Sequence, residues 1–191
     1  MIVTILLALL IIVNRDVVEQ LSAYGYAGLL LVSTLGGATV LIPVPMLAVQ
    51  FAMGGVLEPW IGPQALAPLF VGLVSGFGET LGALTIYMTG YGSGTPFKTK
   101  QMEEGEKGWF TRNYIRIMKL MERRGGLTIF VISAVINPFF YPVSLAAGAV
   151  RFGIKKYFLI AFAGKTVKCT AIAYAGYFGV RGIFTTMGID I

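Results

Sequence analysis

The chain is a succession of long apolar runs, and two of these runs are interrupted where a membrane-spanning helix would have its middle. Apolar stretches cover residues 1–13, 24–57, 65–91, 127–150 and 157–180. From Gln20 to Leu57 there is no Asp, Glu, Lys or Arg. Residues 65–91 and 157–180 read as uninterrupted helices. At about 1.5 Å rise per residue each is long enough to cross a hydrocarbon core of roughly 30 Å. Residues 1–13 make a helix of only about 20 Å. They lack a basic leading region and an evident small-residue cleavage site, and are expected to be a retained membrane segment rather than a signal peptide.

The other two runs carry breaks. Gly36-Gly37 and Pro43-Val44-Pro45 interrupt residues 24–57, and Asn137-Pro138 followed by Pro142 interrupts 127–150. Proline removes a backbone donor and clashes with the preceding turn. The arms 46–57, 127–136 and 139–150, about 18, 15 and 18 Å long, are too short to cross singly. Pro45 to Gly55 and Pro138 to Gly148 are equally spaced, with Gly54 beside the first glycine. A broken backbone survives in hydrocarbon only where protein or a water-filled cavity satisfies the freed groups. Two matching breaks in two halves therefore point to a site between them. The expected fold is all-α: a polytopic membrane protein with two opposed re-entrant helical hairpins (about 26–57 and 127–150) in an inverted-repeat arrangement, plus transmembrane helices at about 65–91 and 157–180. Residues 1–23 form an N-terminal membrane-associated segment, 24–181 the membrane domain and 182–191 a tail.

Composition agrees with this pattern. Of 191 residues 56% are hydrophobic and 13% charged, against about 25% charged in soluble domains. The net charge of +6 does not indicate nucleic acid, because eight of the fifteen Lys and Arg lie in residues 93–126. Basic residues beside apolar spans mark the cytoplasmic face and anionic headgroups. Arg112, Arg116 and Lys119 in that loop, and Arg151 after the second break, are the candidate headgroup contacts. Phe110, Tyr114, Ile117, Met118 and Met121 share one helical face of the loop. That suits either a helix lying in the membrane surface or a solvated helix packed on the protein. With no histidine and one cysteine, an internal disulfide, a zinc site and a Ser-His-Asp triad are excluded. No metal, cofactor or covalent chemistry is expected. Gly164-Lys165-Thr166 resembles the end of a phosphate-binding loop, but Leu159 stands where that motif needs glycine.

Candidate chemistry rests on three charges inside apolar helices: Glu79, Lys165 and Lys168. Each costs roughly 2.5–3.5 kcal/mol at mid-bilayer. Gly72, Gly76, Glu79, Ala83, Tyr87 and Gly90 fall on one helical face, which turns the acid towards a packed interface or cavity. Glu79 either engages substrate or protons, with the lysines meeting phosphate in a groove shaped by Pro43, Pro45, Asn137 and Pro138, or it pairs with Lys165 or Lys168 to hold two helices together. Lys168 can also snorkel to the surface. The small-residue pairs Gly72/Gly76 and Gly78/Gly82 let helices approach closely, and a homo-oligomer is left open.

Three pieces of the chain carry a family likeness: Pro43-Val44-Pro45 through Gly54-Gly55; Gly78-Glu79-Thr80-Leu81-Gly82 with Tyr87, Gly90 and Tyr91; and Asn137-Pro138 through Ala147-Gly148, then Arg151, Tyr157-Phe158, Gly164 and Gly176-Tyr177. In this order and spacing they resemble the DedA family, whose core is the VTT or SNARE-associated domain. The resemblance implies two opposed re-entrant hairpins and a role in moving lipids between leaflets: phospholipid scrambling in eukaryotic relatives, polyprenyl-phosphate or phospholipid translocation in bacterial ones. It also implies that Glu79 inherits the place of a membrane acid linked to proton coupling. Bacterial members usually carry arginines before the second Ala-Gly. Residues 130–145 here contain none, and Lys165 and Lys168 are the candidates to replace them. The function expected is a lipid translocase or scramblase with membrane lipids, including anionic headgroups, as partners and no nucleic acid. The alternatives are a proton-coupled exporter of small cationic solutes and a membrane scaffold.

Overall fold

Proline sits in the first turn of three helices, and glycine sets how closely helices pack. The protein, seen here as a computed structural model, is described over residues 15–38, 43–92, 123–136 and 139–186, and all regular structure among the described residues is helical. Helix α1 is Arg15–Ala38, broken at Gly25, whose φ of 52° is one that glycine tolerates without strain. Helix α2 is Pro43–Val56. A single 3-10 turn, Gln64–Leu66, leads into α3, Ala67–Gly92. Helix α4 covers residues 123–134, α5 is Phe140–Ala149 and α6 is Ile154–Thr186.

Each of the two interrupted runs is divided into two helices, as expected, but individual residues at the breaks play other parts. Pro43 and Pro45 occupy the first turn of α2, and Pro142 the first turn of α5. There a missing N–H costs nothing, so these prolines begin helices instead of ending them. Gly36-Gly37 does not interrupt α1, which continues to Ala38. A side chain at Gly37 would overlap the backbone of Glu79, so this glycine serves a close helix crossing. Gly54, Gly55 and Gly148 likewise lie inside α2 and α5. Asn137 and Pro138, the segment 1–14 and the basic loop with Arg112, Arg116 and Lys119 fall outside the described residues.

Two helical stretches, Gln64–Gly92 and Ile154–Gly179, are long and apolar enough to cross a membrane; Gly25–Ala38, Met46–Val56 and Phe140–Ala149 are shorter apolar helices. Helices α3 and α6 pack on each other along the centre, through Gly72 under Thr170 and Gly76 under Thr166. Helix α1 lies against α3, α2 against α6, and α5 against α3. The contacts come in matched sets. Gly78 faces Leu30, Ser33 and Thr34 of α1, and Gly164 faces Phe130, Ser133 and Ala134 of α4 through the same three atom types. Gly54 of α2 abuts Ala173 while Gly176 abuts Phe51; Gly148 of α5 abuts Tyr87 while Gly90 abuts Leu145. Only residues without a side chain let backbones meet this closely, and in lipid such packing replaces the hydrophobic drive between helices.

Two buried apolar clusters flank the middle. One gathers Tyr87, Ile129, Val143, Ala147, Tyr157 and Ala161, and the other Leu29, Met53, Leu57, Val71 and Ala173. In the first group Tyr157 donates to Ser144 Oγ at 2.7 Å, and Ser144 donates to the Phe140 carbonyl at 2.8 Å. The outer faces are apolar as well, with Leu31, Leu35, Leu159 and Phe178 each about two-thirds exposed, a surface that suits lipid tails.

A Cβ added at Gly176 would overlap the Phe51 carbonyl oxygen, whereas one at Gly92 meets nothing. Gly176→Ala is expected to lower stability by about 1–3 kcal/mol. Gly92→Ala, in open helix, should be neutral or raise it by about 0.5–1 kcal/mol. Thermal unfolding of the purified variants in detergent checks the order.

Candidate functional site

The middle of α3 brings one carboxylate into the contact between α3 and α6, and α6 answers with two ammonium groups. Glu79 sits one turn after Ser75 on the α3 face that carries Gly72, Gly76, Ala83, Tyr87 and Gly90, all buried. Lys165 and Lys168 are three residues apart on α6 and so point the same way. Glu79 Oε2 accepts from Lys165 Nζ at 3.0 Å and from Lys168 Nζ at 2.7 Å. Glu79 Oε1 accepts from Lys168 Nζ at 3.0 Å, Gln50 Nε2 at 2.9 Å and Cys169 Sγ at 3.3 Å. Thus α2, α3 and α6 all converge on one side chain, 2% exposed.

The two lysines are held differently. Lys165 Nζ also donates to the Glu79 backbone carbonyl at 3.2 Å and lies 4.0 Å from the centroid of the Phe140 ring, so a cation–π contact adds to its ion pair. Among the described residues, the hydrogen bonds of Lys168 go to the carboxylate alone. Its side chain is 13% exposed against 4% for Lys165. One carboxylate facing two ammonium groups leaves the cluster with a single net positive charge. Unpaired, three such charges would cost roughly 7–10 kcal/mol in hydrocarbon, so their mutual pairing is what makes the arrangement tenable.

A cleft with about 70 Å³ of room opens onto this cluster, space for roughly five waters or one small oxyanion. Its floor is Glu79, Lys165 and Lys168, and its walls come from Gly36, Met46 and Leu47 on one side and Ser133, Phe140 and Tyr141 on the other. Tyr141 donates to the Gly36 carbonyl at 3.3 Å, linking the start of α5 to the end of α1. The mouth is apolar: Val135 and Ile136 line it and are 56% and 62% exposed. The cleft is therefore charged inside and greasy at its rim.

Of the residues singled out in the sequence, Glu79, Lys165 and Lys168 come together, and both ion pairs considered for Glu79 form at once. Arg151 stands apart after α5, with a φ of 54° and its guanidinium 5.2 Å from the Tyr91 ring centroid. Gln50, Cys169 and Tyr141 were not foreseen. Cys169, one helical turn after Lys165, shares its face, and Gln50 is the sole strongly polar side chain between Thr39 and Gly55. Either signal could have placed them. Tyr141 carries no such mark. Among the described residues no group of His, Cys, Asp and Glu could hold a metal ion.

Comparison with known proteins gives one match: the family model described as the VTT domain covers residues 42–178. No curated protein and no solved structure matches the chain significantly.

Removing the carboxylate leaves two buried ammonium groups facing each other, whereas removing Lys168 leaves a neutral Glu79–Lys165 pair. Glu79→Gln is expected to destabilise by about 3–5 kcal/mol, and Lys168→Met by distinctly less. Unfolding midpoints of the two variants in detergent, compared at one ionic strength, test this ranking.

Proposed function

The chain belongs to the VTT domain family, the DedA/SNARE-associated family, and from that premise we propose that it is a multi-pass membrane protein that moves lipid headgroups between leaflets. A membrane protein of the DedA type agrees with two helices long enough to span. In this reading α1 from Gly25 onward with α2 forms one re-entrant hairpin and α4 with α5 the other. They enter from opposite sides and meet at Glu79. The loop 93–126, carrying most of the basic residues, lies on the cytoplasmic side.

The matched glycine contacts support an internal two-fold relation between the halves. Gly78 on α1 pairs with Gly164 on α4, Gly54–Ala173 with Gly148–Tyr87, and Gly176–Phe51 with Gly90–Leu145. The same alignment places Glu79 opposite Lys165, each one residue beyond its glycine. An inverted repeat with an ion pair on its axis is an economical way to put a site at the bilayer midplane.

One observation carries the choice of lipid over solute: the cleft is charged at its floor and apolar at its mouth. A soluble ion would have to cross the greasy rim. A lipid presents a charged headgroup on apolar tails, so the headgroup can reach Lys165 and Lys168 while the tails stay beside Val135 and Ile136. The cluster's excess positive charge disfavours a cationic solute and favours an anionic headgroup. No covalent step is required, and translocation needs no enzyme chemistry.

The test is reconstitution into liposomes with fluorophore-labelled phosphatidylglycerol or phosphatidylcholine in both leaflets and a membrane-impermeant quencher outside. Active protein should expose the inner-leaflet label, faster for the anionic lipid. Unchanged protection with folded protein present would overturn the reading, and substrate-induced proton flux with a cationic solute would favour the exporter.

A further inference from the structure

Gly82 and Lys168 stand in equivalent places, three residues beyond Glu79 on α3 and three beyond Lys165 on α6, and yet they do opposite things. At Gly82 the backbone of α1 closes directly onto α3: an added Cβ would overlap the Thr34 carbonyl and the Gly37–Ala38 peptide. Lys168 instead carries a long side chain that lines the cleft. Much of the lining pairs off across the two-fold relation proposed above: Met46 with Phe140, Leu47 with Tyr141, Glu79 with Lys165. Among the described residues the rest of the lining is uneven: Ile132 and Ser133 of α4, Val135 just after it and Lys168 of α6 take part, while α1 backbone meets Gly82 directly. The cleft therefore leans towards Lys168.

Among the described residues Lys168 also has fewer kinds of partner than Lys165, and it is the more exposed of the two. Lys165 is tied to the carboxylate, to the Glu79 backbone carbonyl and to the Phe140 ring, whereas Lys168 is tied to the carboxylate and partly exposed. If Lys168 turned from Glu79 to an entering phosphate oxyanion, two neutral pairs would result, Glu79–Lys165 and phosphate–Lys168. Turning Lys165 instead would break its carbonyl and ring contacts as well.

We propose that Lys168 is the ligand-binding cation of this cleft, released from Glu79 to a phosphate oxyanion while Lys165 stays in place. This rests on the lipid reading above for the source of the phosphate. The binding step itself is independent of transport.

Two double variants with the same charge separate the lysines. Glu79→Gln with Lys165→Met leaves Lys168 alone, and Glu79→Gln with Lys168→Met leaves Lys165 alone. Binding is read as the thermal shift of purified protein in detergent on titration with short-chain phosphatidic acid. Inorganic phosphate and the matching short-chain diacylglycerol serve as the other two probes, since a ligand that binds the folded state raises its midpoint. The first double variant should bind phosphatidic acid as the wild type does, and the second should bind it about tenfold more weakly. Equal binding by both, or loss in the first alone, overturns the assignment. Should either double variant fail to fold, single Lys168→Met must weaken binding and Lys168→Arg restore it; no change in Lys168→Met overturns the proposal. Inorganic phosphate binding as tightly as phosphatidic acid would overturn the lipid-borne source, and a shift with diacylglycerol as large as with phosphatidic acid would overturn the role of the charge. Phosphatidic acid binding through Lys168 without leaflet exchange in liposomes would sink the transport reading and leave this site standing. Exchange undiminished in Lys168→Met, with binding intact, would do the reverse.

Discussion

A single carboxylate buried between two helices governs this structure. Glu79 meets three helices at once: its own α3, α6 through Lys165, Lys168 and Cys169, and α2 through Gln50. In a solvent that offers no compensation for charge, such an acid fixes the rotation of every helix that answers it. It also fixes depth, because Lys165 and Lys168 can reach it only if α3 and α6 cross at the level of Gly76 and Thr166. Buried ion pairs are weak evidence for stability as such, since desolvation opposes the Coulomb gain. Here their effect is registry, with apolar contacts above and below supplying the cohesion.

That cohesion is mostly a matter of absent side chains. Gly54, Gly176, Gly90 and Gly148 put backbone against backbone at both ends of the α3–α6 axis. The hydroxyls of Thr34, Thr80, Ser133 and Ser144 return to carbonyls of their own helices and leave the faces smooth. Ser33, Ser75, Thr166 and Thr170 are the described serines and threonines whose buried hydroxyls have no hydrogen-bond partner. Three of these four lie along the α3–α6 crossing, close to the charges. Polarity in this interior is thus concentrated at one level, with apolar packing towards either end.

Much of this was legible in the sequence, and what was not has two causes. The class of fold, the two helices long enough to span, and the inward turn of Glu79 all follow from hydrophobic runs and helical periodicity, which report a residue's own helix. Periodicity also places Lys165 and Lys168 on one face. It cannot say what lies across from that face, so the convergence of both lysines on one carboxylate, and the arrival of Gln50 and Tyr141, needed the tertiary arrangement. Proline and glycine misled for a different reason. Each has two physical uses, and Pro43, Pro45 and Pro142 start helices while Gly37, Gly54 and Gly148 admit a neighbour's backbone. In water a glycine inside a helix costs stability; between apolar helices the close approach it permits outweighs that cost.

The bond from the Tyr141 hydroxyl to the Gly36 carbonyl deserves a last consideration because of its weakness. At 3.3 Å it is long for a hydroxyl donor, and a neutral hydrogen bond nets only about 0.5–1.5 kcal/mol, a few times thermal energy at most. The glycine seams on either side are rigid by comparison, since displacing them forfeits many van der Waals contacts together. Of the contacts that join α5 to its neighbours, this hydrogen bond is thus the soft one and the backbone-to-backbone seam of Gly148 and Gly90 the stiff one.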